Sequence, residues 1–396
     1  MPELLNDLIQ KQAILSPDAN ALMHKDAVFT YSELQTHINN RCQQFLQLGL
    51  LNGERVAVYL PKVPESVFTL FATAQCGGVF VPINPLLKPL QVSYILKDCN
   101  VRILVTSSDR LKLLKDAFKE CHDLRTIILT DEGEVPDDML PQINITRCSM
   151  PVSEKVTPAN PRRIDTDIAS ILYTSGSTGN PKGVVLSHRN MLTGAHSVAS
   201  YLNNNAKDCL LAVLPFSFDY GLSQLTTAFS VGASVVLMDY LLPRDVIKAV
   251  ARYQITGLAA VPPLWNQLAE LEWPEEAKQS LRYLTNSGGA MPVATTQKLT
   301  ASLPTTDFYL MYGLTEAFRS TYLPPDQVSI RPESMGKAIP NAEILVLRED
   351  GSECAPGEPG ELVHRGSLVA MGYWNDPAKT AERFKVIPGR HPELPL

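Results

Sequence analysis

The sequence contains no apolar run that reaches the about 18 residues needed to cross a membrane as a helix. Its best candidate, Leu225 to Met238, is interrupted by Ser230 and Gly232. The first residues, MPELLNDLIQKQ, carry acidic side chains where a signal peptide would carry basic ones. These absences favour a cytoplasmic protein without a membrane span.

Cysteine is scarce, and positive charge is not in excess. The seven cysteines are odd in number, scattered and without a CxxC pair, which argues against a disulfide framework and a structural zinc site. The formal net charge of -6 argues against a nucleic-acid-binding surface. With 45% hydrophobic and 19% charged residues the composition is that of a globular protein. A chain of 396 residues exceeds the about 250–300 residues of a single core, so several folded units are expected.

Short β-rich runs alternate with helix-like segments along most of the chain, which predicts an α/β fold with mostly parallel sheets. The first α/β subdomain is predicted over residues 1–163, although 131–163 has repeated prolines and is interpreted as a linker or surface crossing. A second α/β subdomain is predicted over 164–334. Residues 335–396 combine short strands with Gly and Pro turns and predict a small β-barrel or sandwich.

The stretch from Thr174 to Gly183 reads TSGSTGNPKG and follows an apolar run typical of a strand. A helix is expected to begin near Ser187, so backbone N–H groups and the helix dipole would gather around an anion. The Walker order is absent, because Pro181 precedes Lys182 and Gly183 follows it. Composition alone leaves a phosphate loop and an ordinary solvent loop equally open.

Four further motifs follow in order along the chain. They are NSGGAMP at Asn286 to Pro292, MYGLTE at Met311 to Glu316, GELVHRG at Gly360 to Gly366, and GYWNDPAKT at Gly372 to Thr380. Together with the loop they resemble the AMP-forming adenylating enzymes, the superfamily of acyl-CoA synthetases, peptide-synthetase adenylation domains and luciferases. A P-loop NTPase or kinase is the competing phosphate user, and the order of Pro181, Lys182 and Gly183 disfavours it.

The resemblance implies a large N-terminal domain of the AMP-forming ligase fold that binds ATP and Mg²⁺. The implied catalytic residues are Thr174, Lys182 and Glu316, with Glu316 as the magnesium ligand. The residues that would hold ATP are Thr174, Ser175, Gly176, Ser177, Thr178, Gly179, Lys182, Gly288, Gly289, Ala290, Met311, Tyr312, Gly313 and Thr315. Tyr312 would stack on the adenine. Glu361, Arg365, Gly372 and Tyr373 also match the family pattern and are interpreted as structural.

The resemblance also implies that a carboxylic acid is joined to AMP and then transferred to a thiol of CoA or of a phosphopantetheinyl carrier protein. The implied acid-binding residues are Phe218, Asp219, Ser223, Ser287, Met311 and Arg319. Asp219 matches the residue that accepts the ammonium in amino-acid-activating members, whereas Arg319 could instead neutralise it. An acyl acid is favoured by the run of motifs, and a small or apolar amino acid such as proline stays open.

The chain ends before the family's Tyr-x-Thr-Gly-Asp segment, whose Asp grips the ribose, and before the hinge and the C-terminal lid with its lysine. We expect a fragment of a longer enzyme, impaired in this form. The alternative is a nucleotide-binding module without its own catalysis.

Overall fold

The computed structural model describes residues 3–136, 139–148, 163–174 and 181–385. The chain divides into two compact units. The first comprises residues 1–188, 215–222 and 373–375, and the second comprises 189–214, 223–372 and 376–396. Each unit is described by itself. The predicted domain boundaries at 163 and 334 remain predictions.

The first unit combines helices with short strands. Its helices are α1 Asp7–Leu15, α2 Tyr31–Gln47, α3 Pro64–Gln75, α4 Pro89–Asp98 and α5 Ser108–Leu114, with a 3₁₀ helix at Lys115–Glu120. Its strands are β1 Asn20–His24, β2 Ala27–Thr30, β3 Arg55–Tyr59, β4 Val79–Pro82, β5 Val101–Thr106, β6 Thr126–Leu129, β7 Asn144–Arg147, β8 Ile168–Thr174 and β9 Lys182–Ser187.

The main sheet of this unit has the strand order β9-β8-β4-β3-β5-β6-β7. All neighbours pair in parallel except β8 and β9, which are antiparallel. Strands β3 to β6 are nearly continuous runs of buried Val, Ile, Leu and Ala, as a sheet covered on both faces requires. The interpretation of 131–163 as a linker is wrong at Asn144–Arg147, because this segment pairs with β6 in register as the edge strand β7.

The second unit contains the remaining elements. Its helices are α6 His188–Tyr201, α7 Asp219–Val231, α8 Pro243–Tyr253, α9 Pro262–Leu268, α10 Glu275–Ser280, α11 Val293–Ser302, α12 Pro325–Val328 and, after β19, α13 Pro377–Arg383. Its strands are β10 Cys209–Ala212, β11 Ser234–Leu237, β12 Gly257–Ala260, β13 Tyr283–Asn286, β14 Asp307–Tyr312, β15 Thr321–Leu323, β16 Lys337–Ala338, β17 Ala342–Leu347, β18 Glu361–Gly366 and β19 Gly372–Tyr373. Three of these elements are divided between the units: the first residues of α6 and α7 and the last residue of β19 belong to the first unit.

The main sheet of the second unit has the order β16-β15-β14-β13-β12-β10-β11, with parallel pairing from β14 to β11. Beyond it, β17 and β18 form an antiparallel pair around the small apolar cluster of Leu345, Leu347 and Val363. Arg365 pairs there with Glu343 at 2.6 Å on the facing strand. In the described part of the chain, no helix is long and apolar enough to cross a membrane.

Candidate functional site

Two of the motifs, NSGGAMP and MYGLTE, lie at the carboxyl ends of strands in the main sheet of the second unit. Strands β12, β13 and β14 are parallel neighbours that end at Ala260, Asn286 and Tyr312. In open α/β sheets, ligands bind outside the carboxyl ends of the strands. The sequence between Ser287 and Ala290 and the sequence from Gly313 to Glu316 both begin at this edge.

The turn after β13 leaves an exposed backbone edge. Gly288, Gly289 and Ala290 are exposed, whereas Ser287 is only 2% exposed. Asn286 closes the turn, because its Nδ2 donates to the carbonyl of Gly289 at 3.1 Å. Gly288 has φ +79°, a conformation that favours glycine. The turn can therefore present backbone N–H and C=O groups to a flat ring.

The turn after β14 carries Glu316 and is closed by backbone contacts. The N–H of Ser320 donates to the carbonyl of Tyr312 at 2.9 Å. A Cβ on Gly313 would lie 2.9 Å from both Arg319 Cα and the Phe318 carbonyl oxygen, so this position requires glycine. Phe318 has φ +55°, which is rare for a large side chain and indicates local strain. The turn thus holds a fixed shape at some energetic cost.

Two further contacts fix this turn to the β18 region. The N–H of Ala370 donates to the carbonyl of Glu316 at 2.7 Å. The hydroxyl of Ser320 lies 2.8 Å from Nδ1 of His364. Burial lowers the pKa of His364 to about 4, so its imidazole is neutral at pH 7.

A cavity of about 200 Å³ lies beside the turn. Tyr312, Glu316, Ser320 and His364 line it, together with residues of β18 and α13. Nε2 of His364 is buried there without a hydrogen-bond partner in the described chain. Tyr312 and Glu316 are both partly exposed, so an aromatic face and a carboxylate are accessible at this edge.

In the first unit, Thr174 and Lys182 lie opposite each other on β8 and β9. The predicted helix start near Ser187 is confirmed, because α6 begins at His188, but residues 182–187 form strand β9 between the loop and this helix, which the sequence did not predict. The apolar run Val184-Val185-Leu186 pairs with β8 and is buried, which extends the sheet instead of starting a helix.

Five of the predicted phosphate-contacting residues lie outside the described residues. They are Ser175, Gly176, Ser177, Thr178 and Gly179. Thr174 and Lys182, which are described, are both partly exposed.

The predicted acid-binding residues are mostly buried. Asp219, Ser223 and Arg319 are each at most 2% exposed, and Met311 is 7% exposed. Arg319 donates to the Ser223 hydroxyl at 3.1 Å and to the Phe318 carbonyl at 2.9 Å. Asp219 begins α7, one helical turn before Ser223.

Met311 and Phe218, which are also predicted to surround the acid, make further contacts. Met311 Sδ accepts a hydrogen bond from the Tyr201 hydroxyl at 2.8 Å. Phe218 is partly exposed, and its ring meets Tyr220 edge to face at 6.3 Å.

Sequence reasoning missed three residues: Asn286 and His364, which contact the two turns, and Asp98, which is linked to Thr174 and Lys182 through contacts within the first unit. Asn286 and His364 stand inside quoted motifs, yet neither was assigned a role. Asp98 lies in no motif, and it contacts Tyr173, Trp374 and Asn375. Only Asn286 had a local signal, since asparagine side chains often bond to the backbone in turns.

The chain is similar to known ligases and synthases. It is 28% identical to the long-chain-fatty-acid–CoA ligase of Salmonella typhimurium over 96% of the chain and 72% of that relative. It is 29% identical to gramicidin S synthase 2 of Brevibacillus brevis over 96% of the chain, which spans 8% of that much longer protein. The structure of VinN with L-aspartate matches with a TM-score of 0.80 and 26% identity, over 96% of this chain and 93% of that one.

The family model for AMP-binding enzymes matches residues 9–374. Similar proteins include a fatty-acid–CoA ligase and a gramicidin synthase, and membership of this family fits the adenylation of a carboxylic acid. The predicted family and the predicted mixed α/β fold are confirmed. The chain belongs to the AMP-binding enzyme family.

Proposed function

We propose that this chain binds ATP and a carboxylic acid and joins them as an acyl adenylate. The observation that carries the proposal is the position of two turns at the carboxyl ends of the neighbouring parallel strands β13 and β14. The first turn exposes Gly288 to Ala290, and the second follows Tyr312 and carries Glu316. An exposed backbone edge and an aromatic ring suit adenine, and a partly exposed carboxylate suits a hard cation beside phosphates.

In the reaction, a carboxylate oxygen attacks the α-phosphorus of ATP. A new P–O bond forms, the bond to the bridging oxygen of the β-phosphate breaks, and pyrophosphate leaves. Negative charge accumulates on the phosphate oxygens, so catalysis requires hydroxyls, amides and cations. Lys182 and Thr174 would supply a cation and a hydroxyl, and Thr315 a second hydroxyl. Mg²⁺ held by Glu316 would supply further positive charge.

The acyl acceptor and the acid are proposed only as chemical classes. A thiol would then attack the acyl carbon: a C–S bond forms, the bond from the acyl carbon to the phosphate oxygen breaks, AMP leaves, and the thiol proton is released to solvent. Both CoA and a carrier protein fit the kinds of proteins that the chain resembles. We favour an acyl acid, with Phe218, Asp219, Ser223, Ser287, Met311 and Arg319 as its surroundings. The amino-acid alternative draws support from the burial of Asp219 and from the complex of VinN with L-aspartate.

The proposed reaction is tested by ATP–pyrophosphate exchange across a panel of carboxylic and amino acids. Lys182→Ala and Glu316→Ala should weaken the engagement of nucleotide and magnesium without unfolding the chain, because both side chains are partly exposed. A chain that neither exchanges pyrophosphate with any acid nor binds Mg-ATP would remove the enzyme hypothesis.

The acid class is tested with matched acids that differ only in an α-amino group. If Asp219 pairs with the ammonium, the amino acid should be preferred by more than about tenfold, since removing one partner of a buried charge pair costs about 3–5 kcal/mol. The preference should collapse in Asp219→Ala. Equal use of both acids by the wild type rules out the amino-acid alternative.

A further inference from the structure

We propose that Tyr373 is a positioning residue for Lys182, and that the segment Tyr373–Asn375 is a clamp that sets the direction of this ammonium. The inference rests on the proposed function, in which Lys182 contacts the phosphates. It assigns a role to a motif, GYWND, that the sequence indicated only as structural.

The contact between the two side chains is a cation–π contact. Nζ of Lys182 lies 5.5 Å from the centroid of the Tyr373 ring. Tyr373 is 9% exposed, whereas Lys182 is partly exposed, so a buried ring supports an accessible ammonium. A ring face attracts a cation without neutralising it. The contact therefore restricts the long side chain of Lys182 without placing a competing anion beside its ammonium group.

The backbone next to Lys182 is held by the same segment. The N–H of Trp374 donates to the carbonyl of Gly183 at 2.7 Å. Gly183 has no room for a side chain, since a Cβ there would lie 2.7 Å from Ile171, 3.1 Å from Tyr173 and 3.2 Å from Trp374. The clamp is thus packed directly against the start of β9.

The far side of the clamp is anchored on Asp98, at the end of α4. Its carbonyl accepts from the Trp374 indole N–H at 3.0 Å and from Asn375 Nδ2 at 2.8 Å. Its carboxylate accepts from the Tyr173 hydroxyl at 2.5 Å, and Tyr173 directly precedes Thr174. Thr174 directly follows Tyr173, which contacts Asp98. Lys182 directly precedes Gly183, which contacts Trp374 and through it Asp98.

A second cation–π contact holds the clamp itself. The guanidinium of Arg55 lies 5.3 Å from the Trp374 ring and donates to the carbonyls of Cys99 and Asn100. Arg55 thus joins the ring of Trp374 to the residues that follow α4. The clamp is therefore fixed through Trp374 and Asn375, while its Tyr373 ring contacts a side chain with a proposed catalytic role.

The test is a double-mutant cycle on Mg-ATP binding, measured by calorimetry on the whole chain. The variants are Tyr373→Phe, Tyr373→Leu, Lys182→Ala and the double variant Tyr373→Leu with Lys182→Ala. We expect Tyr373→Leu to weaken binding about fivefold and Tyr373→Phe by less than about twofold, because phenylalanine keeps the ring face. In the Lys182→Ala background the leucine change should have no further effect.

A purely structural role for Tyr373 predicts that the leucine change weakens binding equally in both backgrounds, and this result would overturn the proposal. Unchanged affinity in Tyr373→Leu would overturn it too. Tyr253→Leu is the matched control, since it removes a ring 5.1 Å from Arg252 elsewhere and should leave binding unchanged. Tyr373→Gln replaces the leucine variant if that chain fails to fold.

A ligand-free measurement separates this inference from the proposed function. The NMR signals of the Lys182 ε-methylene should carry a ring-current shift that disappears in Tyr373→Leu, whether or not nucleotide binds. A wild-type chain that binds no Mg-ATP overturns the proposed function. An ε-methylene shift that is the same in wild type and in Tyr373→Leu overturns the inference about Tyr373 and leaves the proposed function standing.

Discussion

Asp208 is a buried carboxylate on which several parts of the second unit depend. It is 2% exposed and accepts from Arg282 at 2.7 and 2.8 Å and from Thr256 at 2.7 Å. Burial alone would raise its pKa, but the hydrogen bonds from Arg282, Thr256, Asn205 and Asn204 outweigh burial, and the pKa is lowered. The carboxylate therefore stabilises the fold in its charged form.

We expect Asp208→Asn to lower the free energy of unfolding by about 2–3 kcal/mol at pH 7. Arg282 then keeps only part of its hydrogen bonding, although its partial exposure to water limits the loss. The stabilisation is present above the unfolded pKa of about 3.9 and is lost as the pH falls through the lower folded value. Urea unfolding at pH 7 and pH 3 checks this. The difference in unfolding free energy between wild type and Asp208→Asn should be smaller at pH 3 than at pH 7. An equal difference at both pH values contradicts this prediction.

His364 should give the protein a pH dependence in a different window. Its folded pKa is about 4 and its unfolded pKa about 6.5, so the unfolded chain binds more protons between these values. The contribution of His364 to stability is complete above about pH 6.5 and falls as the pH decreases toward 4. Urea unfolding should show a smaller loss of stability from pH 7 to pH 4.5 in His364→Leu than in wild type.

His364→Asn is the control for this prediction, because asparagine places a polar atom near the position of Nδ1 and does not titrate. It should keep the contact with the Ser320 hydroxyl and still lose the pH dependence. A steeper loss in either variant than in wild type would contradict the assignment.

Among the elements, the turn from Tyr312 to Ser320 is strongly constrained. Its geometry depends on Gly313, because the atoms that a Cβ would meet are backbone atoms of Phe318 and Arg319 that cannot rotate away. Overpacking of this kind typically costs about 1–3 kcal/mol. Gly313→Ala should therefore lower the unfolding free energy by that amount and move Glu316.

Gly289→Ala is the matched comparison on the neighbouring turn. A Cβ there meets only side-chain atoms of Pro262, at 3.2 and 3.5 Å, so its effect on stability should be under about 1 kcal/mol. Denaturant unfolding and Mg-ATP titration of both variants check the contrast. Equal stability in the two variants would show that the turn relaxes more easily than its contacts suggest.

For the molecule as a whole, Mg-ATP should act as a stabilising ligand. Nucleotide at a hundredfold excess over its dissociation constant adds about 2.7 kcal/mol, provided that only the folded chain binds it. Thermal unfolding should shift upward with ATP and Mg²⁺ together, and EDTA should reverse most of the shift. In Glu316→Ala the shift should depend less on Mg²⁺. A shift that EDTA leaves intact in wild type argues against a magnesium role for Glu316.

Much of the architecture could be read along the chain. The buried runs of β3, β5 and β10 to β14 are local patterns rich in β-branched, aliphatic and aromatic residues, and helix-like segments lie between them, so a parallel α/β fold was predictable. The five motifs likewise indicated the family and the turns around Gly288 and Tyr312. These strands, helices and turns depend on residues that are close in the chain, so they can be predicted from the sequence.

Other features arise from residues far apart in the chain. The local sequence of β9 does not predict a strand, because this segment becomes a strand only by pairing with β8. Ser320 meets His364, and Asp98 meets Trp374, across separations of 44 and 276 residues. No local pattern encodes such contacts, since packing brings the two side chains together only after the sheets have formed. Composition and motifs thus determined the type of fold and the class of reaction that is expected. Three-dimensional packing determined which side chains hold Lys182 and Glu316 in place.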